Sequence, residues 1–250
     1  MAKKIKRTAR RTSATRLNKR SSALHDRRFA GESAAYRKAR NNLLKSEIEL
    51  RRQIERVARL RRALPIGGVV PEDYLFDESD LRTQTVRRVR LSELFGDKPT
   101  LVAYSFMFGP AMATACPSCT SILDGLDGQV QHVMQQTGLV VIAKSPIARI
   151  RDFARERGWT RLRLLSSADN SYNRDYWGEG TDGSQWPVLN VFVRRDGKIH
   201  HFFNTEMLLA QADPGQNARH VDMIWPLWNV LDFTPEGRGA TWQPKLEYDS

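Results

Sequence analysis

The sequence predicts an α/β fold: a mixed sheet flanked by helices, preceded by a long N-terminal helix and a disordered basic arm. Three observations predict it. From Thr100 onward, apolar runs of strand length alternate with segments whose apolar residues recur at helical spacing. The Asp196-Gly197 pair, between the β-rich runs 188–193 and 198–203, marks a tight antiparallel hairpin. The only two cysteines of the chain, in Cys116-Pro117-Ser118-Cys119, stand between the first apolar strand and the helix that follows it.

The elements follow in order. Residues 1–31 are rich in Lys, Arg, Ser and Thr and nearly free of bulky apolar side chains, so burial cannot offset their ordering entropy, and a disordered arm is expected. Residues 32–63 lack Pro and Gly and are full of Arg, Leu, Glu, Lys and Ala, which predicts a long helix. Leu43, Leu50, Val57 and Leu64 recur every seven residues on it, a thin seam suited to another helix or a second copy of the chain. Pro65, Gly67 and Gly68 end it. Residues 69–91 read as extended or irregular, anchored by Tyr74, Leu75 and Phe76, and Ser92 to Gly96 as a helical turn.

The strand 100–108 then enters a loop, and Ile122, Leu126, Val130 and Val133 carry the cysteine helix to Gly138, weakened at Gly125 and Gly128. A second strand spans 139–143. Ser145 and Pro146 predict an N-cap with Pro at the first helical position, and Gly158 the stop. A third strand covers 161–167. After the hairpin, a helix over 220–231 is broken or kinked at Pro226. The expected organisation is an arm (1–31), a charged helix (32–68), an α/β domain (69–240) and a C-terminal tail (241–250).

Charge separates the arm and helix from the rest. Of the 40 Lys and Arg, 21 fall within residues 1–62, with only 5 of the 28 Asp and Glu. That segment carries +16, and the remaining residues −4, of a total of +12. The basic arm suits weak, salt-dependent binding of polyanions such as nucleic acid or an acidic partner, or serves as a solubilising tail; no helix-turn-helix, zinc-finger or RNA-stacking signature accompanies it. No segment approaches the roughly 20 apolar residues of a membrane span, and no apolar run follows the basic N-terminus as in a secretory signal. Two closely spaced cysteines do not make a secreted disulfide scaffold. A cytoplasmic location with no membrane association is expected.

Chemistry concentrates at the cysteines. A C-x-x-C pair between strand and helix puts the first sulfur at a helix N-terminus, where unpaired N–H groups and the helix dipole favour a thiolate. Cys116 is the expected nucleophile and Cys119 the resolving thiol. A zinc site needs two more ligands; His25, His132, His200, His201 and His220 have no metal spacing, and no metal or cofactor is expected. Each histidine reads as a surface or satisfied core group.

The run Tyr104 to Pro110, Cys116 to Cys119, Asp124 to Gly128, with Asp73 to Phe76, Gly158-Trp159, Ser166-Ser167 and Leu231 to Arg238, resembles an uncharacterised bacterial thioredoxin-like family, domain-of-unknown-function family 899. The likeness covers roughly residues 35–240 and is more specific than the C-x-x-C alone. The order strand, C-x-x-C, helix, strand, helix, strand, hairpin, helix is also that of thioredoxin. The resemblance implies a thioredoxin-like fold and a thiol redox role and leaves the substrate unassigned. It further places Trp186 and Pro187, before the hairpin, opposite the cysteines, with Pro117 and Ser118 between them, as substrate-binding candidates. A cis bond at Pro187, which would expose backbone to a substrate, and a trans strand-start proline are both open.

Two departures stand out. Thioredoxins carry a buried acid on the strand before the motif; this chain has none there, and Asp124 and Asp127 on the helix read as surface or turn groups. Peroxiredoxins place Pro, then Thr or Ser, then Cys three further; here Cys116 follows Thr114 by two, which sets the peroxidase reading below the others. Asn173 to Gly178 reads as a surface loop with anchoring aromatics, or as a border of the cysteine cleft. Trp225 and Trp228 read as core. The leading expectation is a thiol–disulfide oxidoreductase acting on a protein or small-molecule disulfide, restored by an external thiol reductant. The competing one is a binding protein that uses the basic arm and keeps the α/β domain as an inactive platform.

Overall fold

The computed structural model describes residues 24–80, 83, 85–239 and 241–248. Most of the expected basic arm, residues 1–23, lies outside the described residues. The chain divides into two compact units, Met1–Arg62 and Ala63–Ser250.

The first unit is built on helix α1 (Ala34–Arg62). It starts two residues later than its composition predicts because Ser33 is a better terminus: its hydroxyl accepts the Tyr36 N–H at 3.1 Å. Glu32 instead pairs with the Arg37 guanidinium. Leu43, Leu50, Ile54 and Leu60 are exposed on α1. Among the described residues no helix is long and apolar enough to cross a membrane.

The second unit is a seven-stranded mixed sheet with the thioredoxin-like arrangement. Its strands are β1 (Leu75–Ser79), β2 (Val86–Arg90), β3 (Thr100–Ser105), β4 (Gly138–Ala143), β5 (Leu164–Ser166), β6 (Leu189–Arg195) and β7 (Lys198–Asn204), in spatial order β2-β1-β5-β4-β3-β6-β7. The three central strands β5, β4 and β3 are parallel. β6 pairs antiparallel with β3, and β7 with β6. Every residue of β4 is buried, as expected of a parallel strand covered on both faces. The stretch 69–91, read as irregular, holds a further hairpin: β1 and β2 pair antiparallel from Leu75↔Arg90 to Ser79↔Val86. Adjacent charges conceal it by breaking the apolar alternation of a strand: the acidic pair Asp77-Glu78 faces the basic pair Arg88 and Arg87.

Between the strands run α2 (Pro117–Asp127), α3 (Val130–Val133), α4 (Ile147–Arg157), α5 (Tyr172–Asp175) and finally α6 (Pro226–Leu231). Gly128 divides the expected cysteine helix into α2 and α3. α4 begins after Pro146, whose carbonyl accepts the first helical N–H bonds, while the Ser145 hydroxyl turns inward to Gly109 O. The stretch 220–231 is a 3-10 turn at Asp222–Ile224 followed by α6, with Pro226 at its first position, where a missing N–H costs nothing.

Two apolar cores flank the sheet. One joins Tyr104, Leu139, Val141 and Leu164 to Ile122 and Leu123 of α2, Ile150 of α4, and Trp225 and Trp228. The other packs Leu101, Val140, Ile142 and Phe192 on Tyr74, Phe76, Phe95 and Tyr172. Alternate residues of β4 therefore serve opposite cores.

Candidate active site

β3 runs out of the sheet into the loop that delivers Cys116. The Phe106 N–H donates to Ile142 O at 2.8 Å and the Cys116 N–H to Met107 O at 3.0 Å, which fixes the end of the loop against the sheet. Arg149 of α4 holds its middle: the guanidinium donates to the carbonyls of Gly109, Met112 and Ala113 and stacks 4.3 Å above the Phe108 ring. Pro110 and Thr114 of this loop are exposed.

Cys116 is the N-cap of α2, with extended backbone (φ −62°, ψ 122°) and Pro117 at the first helical position. Both cysteines are free thiols; Cys116 is half-buried and Cys119 is buried at 1 % exposure. The Cys116 thiol is pulled down to about 6, most of all by the Cys119 thiol pointing at it. Burial opposes this. The N–H groups of Cys119 and Ser118 and the Ser118 hydroxyl add to the lowering. These N–H groups are the unpaired first-turn donors of α2; they face the sulfur without closing a formal capping hydrogen bond. Cys119 moves the opposite way. Burial raises its pKa well above the usual value, and an anionic neighbour at Cys116 raises it further. Two donors, the Tyr104 hydroxyl at 3.2 Å and the Met107 N–H, act in the lowering direction. The pair thus divides into one sulfur poised as an anion at neutral pH and one held as a thiol behind it.

Tyr104, which the sequence reading used only as part of a family motif, stands on the strand before the motif. It reaches the second cysteine from there, where an acid is missing. Its ring is fully buried, and burial, with the nearby sulfurs, raises its own pKa well above 10.

A cleft of about 810 Å³ opens over the cysteines. Tyr104, Met107, Cys116, Ser118, Cys119, Ile122 and Pro187 form one side of it. Residues within 215–239 and 242–243 contribute the other, including His220, Trp225, Trp228 and Trp242. Of the expected binding candidates, Ser118 and Pro187 face this cleft; Pro117 and Trp186 are not in its wall, and the Trp186 indole N–H turns to Ser184 Oγ at 3.0 Å. The bond before Pro187 is trans, since no cis peptide occurs among the described residues. His220, read as an ordinary histidine, donates to Pro187 O at 2.9 Å. Nothing in its sequence surroundings signals that contact, which joins positions 33 residues apart.

Other expectations are corrected. Asp127 is not a surface group: 6 % exposed, it accepts the N–H groups of Thr160, Arg161 and Leu162 on one carboxylate oxygen at 3.1, 2.8 and 3.0 Å. Asp124 pairs with Arg157 at 2.5 Å and accepts the Trp159 indole N–H at 2.8 Å. Tyr176 belongs to an aromatic cluster with Tyr74, Tyr172, Phe192 and His201, so residues 173–178 do not border the cysteine cleft. Trp225 and Trp228 are core residues that also show a face to the cleft. Among the described residues, no three His, Cys, Asp or Glu side chains gather as metal ligands do.

Similar structures include AhpC of Enterococcus faecalis, at 11 % identity and TM-score 0.44 over 66 % of this chain and 93 % of that one. Peroxidoxin BcpB of Mycobacterium tuberculosis is 21 % identical, with TM-score 0.42 over 67 % and 98 %. A reduced 2-Cys peroxiredoxin of Plasmodium vivax is 14 % identical, with TM-score 0.45 over 65 % and 79 %. Scores at this level carry no functional weight. No curated protein matches the chain. Residues 26–249 match the family described as "Bacterial protein of unknown function (DUF899)", and the chain belongs to that family.

Proposed function

We propose that the protein is a dithiol–disulfide oxidoreductase. The observation that carries this reading is the opposed ionisation of two cysteines in one cleft wall: Cys116 lowered to about 6 at the mouth of α2, Cys119 raised behind it. At neutral pH the Cys116 thiolate attacks one sulfur of a disulfide and forms a mixed disulfide, releasing a thiolate. Cys119 then gives up its proton and attacks the Cys116 sulfur. The second product thiolate leaves, and the Cys116–Cys119 disulfide remains until an external thiol reductant restores it. Tyr104 and Met107 supply donors where the Cys119 thiolate must form.

Trapping tests the reading. A Cys119→Ser variant should accumulate mixed disulfides through Cys116, and Cys116→Ser should accumulate none. Equal and slow alkylation of both thiols at pH 7 would end it. Turnover of hydrogen peroxide at rates well above disulfide exchange would move the assignment to a peroxidase. That outcome is not favoured, because Thr114 is exposed on the loop and does not line the cleft over Cys116. Nucleic-acid or acidic-partner binding through the basic arm is a separate proposal, read by polyanion retention before and after deletion of residues 1–31.

A further inference from the structure

The cleft itself limits what disulfide can reach Cys116. Its other side is a segment of the same chain, tied down at several points. The Trp225 indole donates to Ser121 Oγ of α2 at 3.1 Å, Trp228 stacks edge-on between Trp225 and Trp242 at 5.4 and 5.7 Å, and His220 bonds Pro187. A volume near 810 Å³ falls in the range of small-molecule sites.

A peptide substrate would need backbone groups to pair with. Beside the cysteines, the backbone of residues 186–188 has no free N–H, and each of its carbonyls already accepts one bond. The Trp186 N–H donates to Gly178 O at 2.9 Å, and Trp186 O accepts the Val188 N–H at 3.1 Å. Pro187 has no N–H, and its carbonyl is taken by His220. Val188 O accepts the Ser105 N–H at 2.8 Å. The outer strands of the sheet are β2 and β7, the latter already bonded to residues 68–70, and neither contributes to the cleft wall.

The charges in the wall also neutralise one another. Arg238 binds Asp222 and Asp232, each at 2.6 Å, and Arg219 lies 3.4 Å from both. The rest of the wall is mixed: Tyr104, Met107, Ile122, Trp225, Trp228 and Trp242 bring apolar and aromatic surface, and Ser118, Gln216, Asn217 and Gln243 bring uncharged polar groups.

We infer that the substrate of this cleft is a compact, uncharged organic disulfide with an aromatic or aliphatic part, not a disulfide within a protein chain. The inference rests on the oxidoreductase reading above. Two electrons pass from the Cys116–Cys119 dithiol to the substrate. Its S–S bond breaks, a protein S–S bond forms, and two small thiols depart. A low-molecular-weight or protein dithiol of the cell supplies the electrons for the next cycle.

The test uses the reduced full-length chain and four disulfides: 4,4′-dithiodipyridine, bis(2-hydroxyethyl) disulfide, glutathione disulfide and insulin. Each second-order rate constant is divided by that of free glutathione with the same disulfide at the same pH, which removes leaving-group differences. The normalised rate with dithiodipyridine should exceed those with glutathione disulfide and insulin by about tenfold, the worth of one or two buried aromatic contacts. It should also saturate with concentration. Trp242→Ala, a change at a 46 % exposed position that the fold should tolerate, should raise the half-saturating concentration about threefold or more. Insulin reacting as fast as dithiodipyridine after normalisation would overturn the inference, and so would dithiodipyridine kinetics that stay linear and match bis(2-hydroxyethyl) disulfide. A Cys116 that reacts with none of the four faster than free glutathione would instead overturn the oxidoreductase reading itself.

Discussion

The Tyr104 hydroxyl donates to the Cys119 sulfur across 3.2 Å, and the two side chains have 0 % and 1 % of their surface exposed. A donor placed there does little for a neutral thiol and much for a buried thiolate. Tyr104→Phe should therefore slow resolution of the Cys116 mixed disulfide by about ten- to a hundredfold, the rate equivalent of one hydrogen bond to a charged group. Single-turnover quench measurements resolve the two steps. If attack by Cys116 slows as much as resolution, the hydroxyl serves packing alone.

The rate of Cys116 alkylation should follow a single ionisation with its midpoint near pH 6, rising as pH rises and the thiolate forms, then level off by pH 7 to 8. Cys119 should stay unmodified in the native protein across that range, since burial holds it as a thiol. Iodoacetamide labelling with mass-spectrometric site assignment checks both. Ser118→Ala removes one of the groups that lower the pKa and should move the midpoint upward.

Arg149→Lys should loosen the loop that presents Cys116. One guanidinium serves the carbonyls of Gly109, Met112 and Ala113 while lying on Phe108, and an ammonium cannot match that planar fork. Amide hydrogen exchange across residues 109–116 should accelerate by about tenfold, equivalent to roughly 1–2 kcal/mol of lost local hydrogen bonding. Unchanged exchange there would show that the strand and helix ends alone hold the loop.

Asp127→Ala should destabilise the second unit by about 2–3 kcal/mol, because three N–H groups of residues 160–162 lose a charged acceptor at once. Asp127→Asn, which keeps a carbonyl oxygen, should lose less. Urea denaturation followed by tryptophan fluorescence measures the difference. A loss below about 0.5 kcal/mol, the level of an ordinary surface change, would contradict the structural role.

Much of the fold is local enough to be legible in the chain. Strands β3, β4, β6 and β7 follow from short apolar or β-branched runs and the Asp196-Gly197 turn, and the placement of Cys116 at a helix start follows from its position between an apolar strand and a run of helical periodicity. The β1–β2 hairpin escaped because its strand signal is masked by adjacent acidic side chains on β1 and basic ones on β2 that pair across it. Asp127 escaped because a carboxylate at a helix end looks the same in sequence whether it faces water or three backbone donors.

The sequence by itself determined the order of strands and helices from Thr100 onward, the separation of a cationic segment from a mildly acidic domain, and the sulfur that sits at a helix mouth. Those properties reside in neighbours along the chain: periodicity, turn residues and charge counts. Tertiary structure alone decided that Tyr104 stands behind Cys119, that His220 bonds Pro187, and that residues within 215–239 and 242–243 form one side of the cysteine cleft. Each of these contacts joins residues separated by 15 positions or more, and none has a local pattern that specifies it, because packing across the sheet, not propensity along the chain, brings them together.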